Sequence, residues 1–139
     1  MRHQIKGKKL NRSKPHREAM MANMIMSLLS HRTVRTTDTK AKELRRLTDR
    51  LISTAKEDTL AARRQVAKTV RNRQLVKKLF DEIVPQFKDK ESGFTRVMKI
   101  GYRRGDSALI SMVELMTKKP KAEKEKEKGK KGKSKSSEK

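Results

Sequence analysis

The amino-acid sequence predicts an α+β domain with a basic arm at its N-terminus and a disordered Lys/Glu-rich tail at its C-terminus. Four segments place apolar residues at helical spacing, and three others have the β-branched or alternating pattern that is typical of strands. The 139 residues carry a formal net charge of +23, which fits one small domain whose partner is a polyanion. This charge indicates nucleic acid as the partner.

The first seventeen residues contain the predicted arm and the start of the first helix. They include seven Lys or Arg and no Asp or Glu. Ser13 followed by Pro15 indicates a helix start, so we assign residues 1–13 to the arm and residues 14–116 to the domain. Apolar residues then recur at helical spacing and predict a helix that runs to about Ser30; they are Met21, Met24, Ile25 and Leu28.

The next two elements are a short strand and a basic amphipathic helix. Residues 33–37 are rich in β-branched side chains and predict the strand, after which Thr37 or Asp38 can cap the helix. The predicted buried stripe of this second helix consists of Ala41, Leu44, Leu47, Leu51 and Ala55. Its remaining surface carries four cations, Lys42, Arg45, Arg46 and Arg50.

Two further helices complete the helical part. The third is expected from about Thr59 to Val70, with Arg64, Lys68 and Arg71 on its outer face. The fourth has the strongest helical pattern in the sequence, formed by Leu75, Val76, Leu79, Phe80, Ile83 and Val84. Pro85 and the polar stretch after it are expected to end this helix.

A β-hairpin closes the domain. After Gly93 the pattern changes to period two through residues 94–102, and residues 109–115 alternate in the same way. The four residues Arg103-Arg104-Gly105-Asp106 supply turn chemistry between the two strands. We therefore expect the domain to end near Met116.

The tail, residues 117–139, is predicted to be disordered. From Lys118 onward it contains eleven Lys and four Glu, with one Ala as its single apolar side chain. Burial cannot offset the entropy of ordering such a segment. The tail carries +7 of the net charge, so the arm and the domain are strongly basic without it.

The sequence offers no group that is arranged for catalysis, for metal binding or for a cofactor. It has no Cys, and its three His, at positions 3, 16 and 31, lie among cations near the N-terminus. The carboxylates form no catalytic pair, and no phosphate-binding loop or nucleophile elbow is present. We expect a protein that is not an enzyme, in a reducing compartment such as the cytoplasm, without a segment that spans a bilayer.

Four methionines crowd the first helix, at positions 20, 21, 24 and 26. Core filling is the interpretation that we favour for them. An adaptable face that binds a partner is the alternative, because the methionine side chain is flexible and polarisable.

Folded RNA, bound through its backbone and its shape, is the ligand class that the sequence favours. DNA attracts the same cations, but no zinc-finger spacing, basic-region heptad or short helix-turn-helix motif is present. The few aromatic residues mostly fit core positions, so a platform for stacking single-stranded bases is not expected. A nucleoid-type DNA protein and an RNA-processing enzyme or its protein cofactor are the alternatives.

The candidate RNA-binding residues are clustered cations and two histidines, because the clustering exceeds what solubility requires. In the arm and the first helix they are Arg2, His3, Lys6, Lys8, Lys9, Arg12, Lys14, His16 and Arg17. In the rest of the domain they are Arg35, Lys40, Lys42, Arg45, Arg46, Arg64, Lys68, Arg71, Arg96, Lys99, Arg103 and Arg104.

Several runs of residues are specific enough to compare with a known family. They include Met1-Arg2-His3, His16-Arg17, Asn23-Met24, Lys40-Ala41-Lys42-Glu43-Leu44-Arg45-Arg46 and Gly93-Phe94-Thr95-Arg96. Together they resemble the L17 family of bacterial large-subunit ribosomal proteins, over roughly residues 1–116. The chain departs from the family pattern at Val34, where isoleucine is common, and at Thr39, where proline is frequent.

The resemblance implies a two-layer α+β domain with the order α-β-α-α-α-β-β. It also implies 23S ribosomal RNA as the ligand, a position near the polypeptide exit tunnel, and neighbouring large-subunit ribosomal proteins as partners. The family has no known catalytic residues. The tail lies outside the shared region, so the resemblance assigns it no role.

Overall fold

The α+β class is confirmed by the computed structural model, which describes residues 8–117. Its helices are α1 (Lys14–His31), α2 (Asp38–Ala55), α3 (Leu60–Thr69) and α4 (Arg73–Lys78), and its strands are β1 (Thr33–Thr37), β2 (Thr95–Tyr102) and β3 (Leu109–Leu115). All but the first residue of the predicted tail, and the first seven residues of the predicted arm, lie outside the described residues.

The three strands form one antiparallel sheet in the order β1-β3-β2. Val113 of the central strand lies opposite Val34 on one side and Val97 on the other. This row of valines packs against the helices, because Val113 is fully buried and both neighbours contact the core cluster. A bulge between Lys99 and Gly101 interrupts the ladder of β2, which bends this edge strand.

Polar side chains cap α3 and α4 at their N-termini, whereas Thr37, the residue before α2, makes no capping hydrogen bond with its side chain. Thr59 Oγ1 accepts a hydrogen bond from Ala62 N at 3.1 Å and starts α3, and Asn72 Oδ1 accepts from Gln74 N at 2.9 Å at the start of α4. Ser13 precedes α1 without a side-chain hydrogen bond to the helix. The two caps satisfy backbone N–H groups that a helix start would otherwise leave unpaired.

The fourth helical segment differs from the prediction at its C-terminal end. After α4 the chain continues through a π-helical turn, Leu79–Ile83, and a 3₁₀ turn, Val84–Phe87. The expectation that Pro85 ends the helix was wrong. Pro85 lies in the first positions of the 3₁₀ turn, where no backbone N–H has to donate within the helix, so proline is tolerated there. The wider π turn places three buried side chains in the core, those of Leu79, Phe80 and Ile83.

Two buried phenylalanines, Phe87 and Phe94, lie in the core at the edges of the regular elements. Phe94 is 1% exposed and lies just before β2. Its ring meets the ring of Phe87 in an edge-to-face arrangement, with 5.1 Å between the centroids. The Lys56 ammonium lies 5.7 Å from the centroid of Phe94 and donates a hydrogen bond to the Lys90 carbonyl at 2.8 Å. These contacts close the loop between the helices and the hairpin.

Arg32 joins the end of α1 to the end of the last strand, although the sequence did not single it out. It follows α1 with a left-handed backbone, φ = 64°, and is only 3% exposed. Its Nη1 donates to Thr117 Oγ1 at 2.7 Å, and Nη2 lies 3.5 Å from a carboxylate oxygen of Glu82. Its carbonyl accepts from Leu115 N at 2.9 Å. Arg32 thus links the helices to the last strand through its backbone carbonyl, and to Thr117 just beyond that strand through its side chain.

Polar contacts fix α2 on the sheet. Asp49 Oδ1 accepts two hydrogen bonds from Thr95, one from its backbone N at 3.1 Å and one from its Oγ1 at 2.8 Å. Asp38 Oδ1 accepts from Ser111 Oγ at 3.0 Å. Thr95 and Ser111 are both buried, so these carboxylates satisfy groups that water cannot reach.

Replacing Asp49 by alanine should lower the free energy of unfolding by about 2–3 kcal/mol, since the buried N–H and hydroxyl of Thr95 would lose a charged acceptor. Asp49→Asn keeps an acceptor oxygen and should cost less than half as much. Denaturant unfolding followed by circular dichroism measures both variants. Equal losses would show that the charge of Asp49, and not its hydrogen bonds, provides the stabilisation.

Candidate nucleic-acid interface

Residues 8–13 form a turn that Arg12 closes on itself and that Arg17 ties to the start of α1. Arg12 N donates to the Lys9 carbonyl at 3.2 Å, and Arg12 Nη1 donates to the Leu10 carbonyl at 3.0 Å. Arg17 Nη1 lies within hydrogen-bond distance of the carbonyls of Lys9, at 3.4 Å, and of Arg12, at 3.2 Å. The two arginines thus shape the turn, and four other candidate residues are exposed around it, namely Lys8, Lys9, Lys14 and His16.

A cleft between α2 and β2 gathers four of the predicted RNA-binding cations. This α2–β2 cleft has a volume of about 600 Å³ and is lined by Asp38, Lys42, Arg45, Arg46, Asp49, Val97 and Lys99. The first turns of α2 supply three of the cations, and β2 supplies the fourth. The sheet therefore brings together residues that lie more than fifty positions apart in the sequence.

Three of these four cations already pair with carboxylates of α2. Lys42 lies 2.7 Å from Asp38, Arg45 3.7 Å from Asp49, and Arg46 3.0 Å from Glu43. The hydrogen bond from Lys42 holds the pKa of the Asp38 carboxyl below its usual range, assisted by the hydroxyl of Ser111. A phosphate that binds in this cleft must share these cations with the protein's own carboxylates.

A second groove lies between α1, α2 and α3, and we call it the three-helix groove. Its volume is about 590 Å³. Buried apolar side chains line its interior, namely Met21, Ile25, Leu51 and Val66, and Leu47 and Met26 are half-buried beside them. The rim is polar and exposed, with Glu18, Asn23, Arg50, Gln65, Lys68 and Arg71.

The cations on this rim differ from those of the α2–β2 cleft in their pairing. Within residues 8–117, no carboxylate lies in ion-pair distance of Arg50, Lys68 or Arg71. Glu18 is the only carboxylate that the described part of the chain contributes to the groove lining. The groove therefore combines an apolar interior with three cations that are available to an anion.

The hairpin tip presents one cation and uses another for its own structure. The guanidinium of Arg103 pairs with both carboxylate oxygens of Asp106, and Asp106 Oδ1 also accepts from Ala108 N at 3.2 Å. These interactions, the Arg103 hydrogen bond first, lower the pKa of Asp106 to about 2. Arg104 is exposed at the tip, where Gly105 has a positive φ of 105°.

Because the folded chain lowers the pKa of Asp106, its contacts should be fully present above the usual pKa of 3.8 and should be lost as the pH falls toward about 2. The carboxyl ¹³C signal of Asp106, followed from pH 6 to pH 1, should titrate near the lower value. In the Arg103→Gln variant the midpoint should move up toward 3.8. An unchanged midpoint would show that Arg103 does not stabilise the ionised form.

The sheet face turned away from the helices carries both apolar and charged side chains. Arg35 lies opposite Met112, and Met112 lies opposite Met98. Arg96 lies opposite Glu114, with 2.8 Å between guanidinium and carboxylate. Arg35 remains exposed on this face, whereas Arg96 is held by its partner strand.

The predicted RNA-binding residues thus fall into separate groups on the structure. The α2–β2 cleft unites Lys42, Arg45, Arg46 and Lys99, and the three-helix groove unites Lys68 and Arg71. Lys40 is half-buried in the first turn of α2, and Arg64 is exposed on α3 outside both sites. Arg2, His3 and Lys6 lie outside the described residues.

Arg50 lies beside Lys68 and Arg71, although it is not among the residues that the sequence predicts to bind RNA. It was recognised as one of the cations on α2, but only the structure places it on the rim of the three-helix groove with Lys68 and Arg71. Its position three residues after Leu47 could have identified it. Leu47 is a stripe residue that is only half-buried, and an arginine beside a half-buried leucine on one helix face indicates an amphipathic site.

No helix within residues 8–117 is long and apolar enough to cross a membrane. The same residues contain no group of three or more His, Asp or Glu side chains that could hold a metal ion.

Comparisons with known proteins give one consistent result. The model of the family described as ribosomal protein L17 matches residues 20–116. A protein of Syntrophus aciditrophicus (strain SB), named large ribosomal subunit protein bL17, is 47% identical over 114 residues, which are 82% of this chain and 91% of that protein. The protein of the same name from Hyphomonas neptunium (strain ATCC 15444) is 49% identical over 123 residues, 88% of each chain. The one from Syntrophobacter fumaroxidans (strain DSM 10017 / MPOB) is 49% identical over 117 residues, 84% of this chain and 78% of that protein.

Proposed function

Because this chain belongs to the ribosomal protein L17 family, we propose that it is a structural constituent of the bacterial large ribosomal subunit that binds and stabilises folded 23S ribosomal RNA. The observation that carries this proposal is the coincidence of family membership with exposed cations on several surfaces of one small domain. A cleft, a groove, a hairpin tip and an N-terminal turn each present cations. Surfaces of this kind neutralise phosphates where RNA helices pack closely.

The proposed position is near the polypeptide exit tunnel, in the cytoplasmic ribosome, with neighbouring large-subunit proteins as further partners. This position follows from the family. The fold suits such a role, because the helices cover one face of the sheet and basic surfaces lie on several sides of the domain. A protein with this distribution contacts several RNA segments at once.

We also propose that the chain has three parts with separate roles. Residues 1–13 are an arm that enters RNA crevices, residues 14–116 are the domain that docks on RNA helices, and residues 117–139 are an appendage without an assigned partner. Within the described part of the arm, residues 8–13 form a turn that Arg17 ties to α1.

The proposed mechanism is structural and involves no chemical step. Cations of the arm, of the α2–β2 cleft and of the three-helix groove bind phosphates, while Arg103 and Arg32 organise the protein itself. No catalytic residue, metal or cofactor has a part in it.

Sedimentation of a cell lysate tests the proposal. The chain should migrate with large ribosomal subunits at near-stoichiometric amounts, and it should remain with them after DNase treatment. A pool that is released by DNase would favour a nucleoid protein instead. A pool that remains free, or that appears only with processing intermediates, would favour an RNA-processing role and would overturn the assignment.

A further inference from the structure

We propose that the three-helix groove receives a single unpaired nucleobase of the bound RNA, with the adjoining phosphates held by Arg50, Lys68 and Arg71. This inference rests on the proposed function in one respect, namely that the partner is RNA. It goes further because it assigns a recognition site for a base to a protein whose cations otherwise indicate contacts with the RNA backbone alone.

The interior of the groove has the chemistry that a base requires. Met21 and Met26 of α1 line it together with Val66 of α3. A flexible thioether can adapt to the edge or the face of an aromatic ring and interacts favourably with it. The methionines of α1 would therefore serve both the core and the bound base. Met21 is only 5% exposed and packs in the core.

The size of the groove favours one planar group over a longer segment. Its volume of about 590 Å³ falls within the range of roughly 300–1,000 Å³ that small-ligand clefts occupy. An RNA duplex cannot enter such a space, and an amphipathic protein helix would need anchors spread over two helical turns. An unstacked base with its sugar is the RNA component that can enter.

The rim supplies polar partners for both halves of a nucleotide. Arg50, Lys68 and Arg71 have no carboxylate partner within the described chain, so they can bind phosphates without breaking an existing pair. Asn23 and Gln65 also lie on the rim. Their amides can donate to and accept from the edge of a base, which is how unpaired RNA is distinguished.

The direct test is nuclear magnetic resonance of the full chain with ¹³C-labelled methionine methyls. Three probes are compared: an eight-nucleotide oligoadenylate, a blunt RNA duplex of the same length, and inorganic polyphosphate. Oligoadenylate should move the methyl signals of Met21 and Met26 through ring currents, and the other two probes should not. Methyl signals that stay unmoved at saturating oligoadenylate, or that move equally with polyphosphate, would overturn the proposal.

Filling the groove gives an independent test. Ala22 lines the groove, and Ala22→Leu should weaken oligoadenylate binding roughly 10-fold through loss of the base contact, with the salt dependence unchanged. Ala67→Leu, at an exposed position of α3 outside the groove, should bind within twofold of the parent chain. Ala19→Leu, which lines the groove from an exposed position, provides a second filling variant if Ala22→Leu does not fold. Equal affinities for the filling and control variants would refute the site.

The same experiments separate this inference from the proposed function. If the chain migrates with large subunits but the methionine methyls do not respond to oligoadenylate, the groove assignment fails and the ribosomal role stands. If the chain does not migrate with the subunits, the ribosomal role fails whatever the groove binds. Two results would identify another occupant of the groove and overturn the inference. One is a shift of the methionine methyl signals when residues 1–7 are deleted. The other is a larger shift with an acidic amphipathic peptide than with oligoadenylate.

Discussion

Replacing Phe94 by alanine should lower the free energy of unfolding by about 3–5 kcal/mol. The ring is 1% exposed and packs edge-to-face on Phe87 at 5.1 Å, so its removal leaves a cavity and ends an aromatic contact. The Lys56 ammonium also loses the ring that it approaches to 5.7 Å. Domains of this size are stable by only about 5–15 kcal/mol, so the variant should have lost a large part of its stability. Urea denaturation followed by far-ultraviolet circular dichroism measures the loss.

The chain offers a matched control for this substitution at the far end of β2, the strand that follows Phe94. Tyr102 is 76% exposed, and Tyr102→Ala should change the free energy of unfolding by no more than about 0.5 kcal/mol. The two variants remove aromatic rings of similar size from positions that differ mainly in burial. A loss at position 94 no larger than that at position 102 would show that burial of the Phe94 ring does not stabilise the fold.

The helices and strands could be predicted because their apolar spacing reflects burial directly. In α2 the predicted residues Ala41, Leu44, Leu51 and Ala55 are all buried, and Leu47 is half-buried. The strand over residues 33–37 has the predicted bounds. Capping chemistry added to this, since Thr59 at the expected start of the third helix does accept a hydrogen bond from the backbone.

Other features depend on contacts between distant segments, which local spacing cannot show. The π turn forms where Leu79, Phe80 and Ile83 must all reach the core. Arg32 resembles any other surface cation in the sequence, yet its partners are Glu82 and Thr117. Burial of a long charged side chain is settled by such partners and not by its neighbours in the chain.

In the candidate interface too, the sequence shows which cations are present but not which of them are paired. The sequence identified clustered cations, but it could not tell a cation that already has a carboxylate partner from one that has none. Lys42 and Lys68 both lie on the outer face of a predicted helix. The structure pairs Lys42 with Asp38 at 2.7 Å and leaves Lys68 on the rim of a groove. This difference in pairing depends on the tertiary arrangement.

The affinity of the chain for a 23S ribosomal RNA transcript should fall by about 10³–10⁵ between 50 and 200 mM salt if six to ten phosphates are neutralised. Each neutralised phosphate releases a condensed counterion, so the slope of log affinity against log salt reports how many are contacted. Replacing Arg50, Lys68 and Arg71 together by glutamine should reduce the magnitude of this slope by about 2–3. Filter binding across the salt range measures the slopes.

A control variant with the same loss of charge decides whether position or total charge is responsible. Arg73, Lys77 and Lys88 are exposed and line neither the α2–β2 cleft nor the three-helix groove. Their joint replacement by glutamine should weaken binding slightly through the reduced net charge, but it should leave the slope within about 0.5 of the parent value, since few counterions are released at these positions. Equal slopes for the two triple variants would mean that the rim cations act only through total charge. A flat salt response of the parent chain would contradict binding through phosphates altogether. A chain with a formal charge of +23 that neutralises phosphates must release counterions, so its affinity must depend on salt.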